Sequence, residues 1–183
     1  MDTKNICSNG ILALSIVNPA TGEIISSVPE STNSDIQTAI ENAQKGEILG
    51  RKMSRGERSN ILFEVARIVR QDSAEFADLI VLESGKTIRQ AKKEVARCIN
   101  TLTLSAEEAK RLAGEVIPFD SFAGSEDRSG YFVKEPLGII LAITPFNDPL
   151  NLVAHKLGPA IAGGNPVILK PSQLAPLSGI KLA

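Results

Sequence analysis

At 183 residues, with 43% hydrophobic and 22% charged residues, the chain has the composition of a folded globular protein of one domain, or one domain and part of another. A net charge of −1 offers no electrostatic attraction to nucleic acid or a membrane surface, and 4% aromatic residues with no Trp leave no stacking platform for single-stranded nucleic acid. Two widely separated cysteines (Cys7 and Cys98), no apolar run of membrane-spanning length, and an N-terminus MDTKNICSNG without a signal-peptide apolar core predict a reducing, cytoplasmic setting.

In chain order, Ile11 to Val17 and Glu23 to Val28 read as two short strands around the turn Asn18-Pro19-Ala20-Thr21-Gly22. Ser34 and Gln37 predict a capping box for a first helix, with Ile36, Ala39, Ile40 and Ala43 at helical spacing. Ser54 and Glu57 predict a second, followed by Ile61, Leu62, Val65, Ile68 and Val69 on one face. A third helix starts near Ser73, turns Phe76, Leu79 and Ile80 inward, and ends at Gly85, which suits a left-handed terminus. The fourth runs from about Thr87 to Leu112 on an apolar stripe of Ile88, Ala91, Val95, Cys98, Ile99 and Leu102, with Glu107 and Arg111 spaced as an ion pair.

Past Gly114 the pattern changes. Glu115–Phe119 and Gly130–Lys134 read as strands of a hairpin around a polar loop, an exposed edge suited to a partner chain. Leu137–Ile143 is a continuous apolar strand of the kind covered on both faces in a parallel sheet. Asp148 and Pro149 predict a helix N-cap and first position just past Asn147, with a kink at Pro159 and an end at Gly163-Gly164. Pro166–Lys170 is a second strand, reached by a right-handed crossover, and another helix starts near Pro176. With 13 residues after Lys170, the C-terminal unit reads as an incomplete parallel domain whose last apolar helix is uncovered.

The chemistry-bearing residues lie at the two strand ends, where open α/β sheets bind ligands. Asn147, in a loop stiffened by Pro145 and Pro149, reads from spacing alone as a turn former or as an amide donor to a developing oxyanion. Lys170 reads as a strand-end lysine reaching water, or as a cation for the ribose or phosphate of a nucleotide. Ser172 and neutral Gln173 follow it; a carboxylate there would repel a 2′-phosphate. The single histidine, His155, cannot build a zinc cluster and reads as structural within an apolar helix, so no metal site is expected. Cys98 reads as a small core hydrophobe, and Cys7, near Lys4, as modestly reactive. No GxGxxG motif is present, which disfavours a conventional Rossmann dehydrogenase.

Five blocks in order, Asn18-Pro19-Ala20-Thr21-Gly22-Glu23, Glu83-Ser84-Gly85-Lys86, Glu135-Pro136-Leu137-Gly138, Thr144-Pro145-Phe146-Asn147 and Gly164 through Ser172, resemble the N-terminal part of the aldehyde dehydrogenase superfamily. The resemblance implies an α/β fold. Residues 1–114 would form an N-terminal hairpin and the helical part of the cofactor domain, 115–135 an oligomerisation-type β-hairpin, and 136–183 the first β-α-β unit of a Rossmann-like sheet. It implies NAD or NADP as cofactor and oxidation of a small hydroxylated or anionic aldehyde. Asn147 would be the oxyanion amide, Lys170 would hold the adenosine ribose, and Ile143, Thr144, Pro145, Phe146, Ser172 and Gln173 would line the cleft. Phe146 stands where many members carry Trp, and Gln173 where NAD-preferring members carry Glu, which admits NADP. In the family the nucleophilic Cys and the general-base Glu lie downstream of the Lys170-Pro171-Ser172 block, and neither Cys7 nor Cys98 matches the nucleophile's context. The expectation is therefore that this chain supplies part of the cleft. The alternatives are a catalytically inactive remnant, or a module pairing with an intact homologue or a second copy through residues 115–135.

Overall fold

The computed structural model describes residues 5–8 and 11–183, with side chains from residue 12 onward. Strands β1 (Asn5–Ser8), β2 (Ile11–Val17) and β3 (Ile24–Pro29) form an antiparallel sheet in chain order; β1 is an element the residue pattern did not announce. The Asn18–Gly22 turn forms as expected: the Gly22 N–H donates to the Asn18 carbonyl at 2.8 Å, the Asn18 N–H to that of Glu23 at 2.8 Å, and Gly22 takes φ 77°.

Helices α1 (Asn33–Lys52), α2 (Arg55–Gln71), α3 (Ser73–Ser84) and α4 (Ile88–Arg111) follow. The first cap differs from expectation: Thr32 and Asp35 form the capping box, not Ser34 and Gln37. The short Asp35 carboxylate reaches the Thr32 N–H at 2.8 Å and places negative charge in the helix's first turn, where the dipole favours it. Gln37 instead donates to Glu41 at 3.1 Å. Ser54 with Glu57 caps α2 as its sequence predicts, and Thr87 with Gln90 caps α4. Gly85 ends α3 at φ 70°; a Cβ there would stand 2.9 Å from Pro19 Cγ, so the left-handed turn also seats the N-terminal Pro.

The core is the seam of α2, α3 and α4, joined by Leu150, Ala154 and Ala162 from later in the chain. Leu62, Ala66 and Val69 meet Phe76, Ala77 and Ile80, and Ala91, Val95, Cys98 and Leu102. Ile36, Ile40, Ile61, Ile68 and Ile88, read as inward, are exposed. Each lies at the margin of its stripe, and α1 runs along the periphery with Ala43 as its buried residue. Arg111 pairs with Glu108 at 2.5 Å rather than forming the expected pair with Glu107.

The hairpin strands are shorter than predicted, β4 (Glu115–Ile117) and β5 (Gly130–Phe132), with a 3-10 turn at Phe119–Ser121. Strand β6 (Ile140–Ile143) pairs in parallel with β7 (Val167–Lys170), joined by α5 (Asn151–Ala162), and α6 (Leu177–Leu182) follows. Residues before Ile140 leave the strand at Gly138, whose φ of 111° turns its N–H to the Asn165 side chain at 3.0 Å. The parallel pair is covered on one face: Ala142 is buried, while Leu141 and Ile143 on the other face are 62% and 60% exposed, in line with a unit of two strands and one crossover that covers only one side. Gly158 of α5 lies so close to α4 that a Cβ would meet Ser105 Oγ at 2.5 Å. His155 is exposed on α5, not enclosed in an apolar helix, because Val153, Ala154 and Leu157 form the face that packs inward. Among the described residues no helix is long and apolar enough to cross a membrane.

Candidate cofactor and oxyanion site

Parallel pairing brings the predicted residues together from two distant segments. Ile143 and Lys170 are register partners at the carboxyl ends of β6 and β7. The Thr144 N–H donates to the Lys170 carbonyl at 3.2 Å, extending the ladder one residue further. Thr144 is buried beneath this junction, while Pro145, Phe146 and Asn147 leave it as an exposed bend. Lys170 is exposed and makes no ion pair among the described residues. Ser172 accepts the Leu174 N–H at 3.2 Å, closing the turn in which Gln173 is exposed. A cation, a hydroxyl and a neutral amide thus line one strand end, and a free amide with two apolar side chains lines the other. This donor set fits a nucleotide: the ammonium suits ribose hydroxyls and phosphate, and exposed Ile143 and Phe146 offer apolar surface to a planar ring.

The loop carrying Asn147 is held from outside. Asp148 does not cap α5, which begins at Asn151, with residues 148–150 in a turn. Its carboxylate is drawn instead to Lys86 Nζ at 2.5 Å and Arg97 Nη1 at 2.9 Å. Lys86 also reaches Glu94 at 2.5 Å. The other oxygen of Glu94 accepts the Leu150 and Asn151 N–H groups at 2.9 and 3.1 Å, so Glu94 caps α5 from a different helix. Burial raises the Asp148 carboxyl's pKa, but its bonds to Lys86 and Arg97 outweigh this and hold it below the usual range. Burial likewise pulls Lys86 down, and hydrogen bonds to Asp148 and Glu94 reverse it, leaving the ammonium above its ordinary value. Asn151 is fully buried; its side-chain oxygen accepts from Thr101 at 3.1 Å and its amide nitrogen has no partner among the described residues.

Glu83 makes a parallel arrangement at α6. Its carboxylate is 2% exposed and accepts the Leu177 and Ser178 N–H groups at 2.6 and 2.9 Å. Burial pushes its pKa up, against the pull of those hydrogen bonds.

Residue-by-residue reading of the sequence missed Glu83, Lys86, Glu94 and Asp148 as parts of one framework. A signal was there: Glu83 falls on the Phe76, Ile80 stripe and Glu94 on the Ala91, Val95, Cys98 stripe, where an acid needs partners. Cys98 is fully buried, and burial, with Glu94 nearby, pushes its thiol up to about 12; it is a core hydrophobe, as its spacing predicts. The expectation for the Cys7 thiol lies outside the described side chains.

The aldehyde dehydrogenase family's sequence profile matches residues 8–183. The chain is 55% identical over 169 residues to aspartate-semialdehyde dehydrogenase 1 of Pseudomonas canavaninivorans, covering 92% of this chain and 36% of that protein. It superposes on aldehyde dehydrogenase 21 from Physcomitrella patens, solved in complex with the reaction product succinate, with TM-score 0.89 and 37% identity, covering 96% of this chain and 37% of that one. It also superposes on glyceraldehyde-3-phosphate dehydrogenase GapN from Methanocaldococcus jannaschii, solved with NADP, with TM-score 0.86 and 39% identity, covering 92% and 36%. The chain therefore spans 36–37% of the length of these proteins, and its α/β architecture is that of their N-terminal portion.

Proposed function

The chain belongs to the aldehyde dehydrogenase family, and from that premise we propose that it serves NAD(P)-dependent oxidation of an aldehyde to a carboxylic acid, supplying part of the cofactor cleft and the oxyanion amide. The observation that carries this reading is the junction of β6 and β7. There the exposed Lys170 is the register partner of Ile143, and the exposed Asn147 follows four residues beyond Ile143.

Aldehyde and water would give acid and a released proton as two electrons leave the aldehyde carbon as hydride, which NAD(P) would accept when bound. The Asn147 amide donates to the aldehyde oxygen as attack turns it into an alkoxide. Lys170 donates to a ribose hydroxyl, and Ile143, Pro145 and Phe146 keep water from the reacting face. Ser172 shapes the turn, so that neutral Gln173 leaves room for a 2′-phosphate and NADP is accepted. Cys98 is too deeply buried to attack, so the thiolate comes from outside the described side chains. Small aldehydes with an anionic or hydroxyl group are the substrate class, in keeping with the aspartate semialdehyde, glyceraldehyde-3-phosphate and succinate named for the relatives.

The test is Asn147→Ala in the full protein. Loss of the donor should lower kcat by about 10² to 10³ and leave cofactor affinity unchanged. Full turnover by the variant would sink the reading.

A second reading is favoured by the hairpin, where Val116, Phe122 and Tyr131 are each more than three-quarters exposed. In this reading the chain is a catalytically inactive module that pairs with an intact homologue or a second copy through residues 115–135. Co-purification with a full-length dehydrogenase, abolished by Tyr131→Glu, supports it; a monomer indifferent to that partner counts against it.

A further inference from the structure

The Glu83-Ser84-Gly85-Lys86 segment has no part in the chemistry just described, yet its two charged side chains are committed to opposite edges of the site. Glu83 accepts two N–H groups at the start of α6, immediately downstream of the Lys170–Gln173 segment. Lys86, three residues on, bonds to Asp148, the neighbour of Asn147, and to Glu94, which holds Leu150 and Asn151. Between them Gly85 reverses the chain in a left-handed conformation, and its close approach to Pro19 keeps that reversal in place. One tight turn between α3 and α4 thus grips both segments that leave the β6–β7 edge.

Stability alone does not account for these charges. Burying ions carries a desolvation cost, and well-packed apolar residues at such positions are often as stable or more so. Directional bonds to backbone N–H groups and to a loop carboxylate supply what apolar packing cannot, a defined position for the groups they hold.

We propose that Glu83 and Lys86 are positioning residues for the candidate site. Lys86 sets Asn147 through Asp148 and Glu94, and Glu83 sets the Lys170–Gln173 segment through the start of α6. The inference rests on the aldehyde dehydrogenase reading. It assigns the two residues separable roles: Lys86 governs the chemical step and Glu83 governs cofactor binding.

The experiment compares Lys86→Met, Lys86→Arg, Asp148→Asn and Glu83→Gln in the full protein. Steady-state kinetics are measured at saturating cofactor, and NADPH affinity is measured by fluorescence titration without turnover. A displaced oxyanion donor should lower kcat of Lys86→Met about 10- to 100-fold, with NADPH Kd unchanged within about twofold. Lys86→Arg should recover most of that loss. Asp148→Asn, which keeps the side chain's size, should reproduce the loss even if Lys86→Met does not fold. Glu83→Gln should raise NADPH Kd about tenfold, with kcat at saturation nearly kept. Parallel losses in both parameters for both residues, tracking thermal stability, would overturn the proposal, as would no change in either. A wild-type protein that neither binds NADPH nor oxidises an aldehyde would instead refute the proposed aldehyde oxidation, and the positioning roles with it.

Discussion

The backbone N–H of Thr144 donates to the carbonyl oxygen of Lys170 at 3.2 Å, so two segments 26 residues apart leave the sheet from a shared point. The bond uses Lys170's main chain and leaves its side chain exposed. Lys170→Ala should therefore weaken NADPH binding without unfolding anything. Loss of one charge-assisted hydrogen bond is about 1.5–3 kcal/mol, or roughly a 10- to 100-fold rise in Kd. Fluorescence titration reads the affinity and thermal denaturation the stability; an unchanged Kd removes Lys170 from the site.

Gly85→Ala should destabilise the protein by about 1–2 kcal/mol, because an L side chain is disfavoured at φ 70°. The new methyl group would also press on Pro19 Cγ at 2.9 Å. Urea denaturation measures the change, and pairing the substitution with Pro19→Ala should recover the steric share but not the conformational one.

Cys98 should resist alkylation in the folded protein. With its thiol pushed up to about 12, the thiolate fraction at pH 8 is on the order of 10⁻⁴, and no solvent reaches it. Peptide mapping after iodoacetamide treatment in native buffer should find Cys98 unmodified, and treatment in urea should find it fully modified. Rapid native labelling would mean that α4 opens readily.

Two carboxylates give pH dependences of opposite sign. Asp148 is held below its ordinary value of 3.8, so the stability it contributes is present above that value and lost as pH falls through the lower folded value. Glu83 is raised above 4.5, so its contribution is present below 4.5 and lost as pH rises through the higher folded value. Urea melts across the acid range should show Asp148→Asn flattening the loss at the acid end, and Glu83→Gln removing the decline above pH 4.5. Identical profiles for the two variants would contradict the assignment.

Local chemistry was readable from the chain and long-range chemistry was not. The Asn18–Gly22 turn, the Ser54–Glu57 box and the left-handed Gly85 each depend on residues within a few positions of one another. The strand ends bearing Ile143 and Lys170 were visible as apolar runs that stop at polar residues. Asp148 shows where such reading ends. Beside a proline and ahead of a helix it has every local mark of an N-cap, yet a lysine 62 positions earlier and an arginine 51 positions earlier compete for its carboxylate and win. Charge-assisted bonds outweigh a cap of about 1 kcal/mol. Thr32 took the cap expected of Ser34 for a smaller reason, a two-residue shift that lets Asp35 close the box.

The reach of the Lys86–Asp148 bond has a consequence for the order in which the molecule is made. The α2, α3 and α4 seam of the core joins consecutive helices, while Leu150, Ala154 and Ala162 add to it later, so the helices can begin to consolidate even while the chain is still being synthesised. Asn147 cannot take its place until residues 148–151 have emerged and found Lys86 and Glu94 already presented by that seam. The helices would thus act as a template on which the reactive edge is laid down last, and slow refolding phases should report on the edge rather than on the helices.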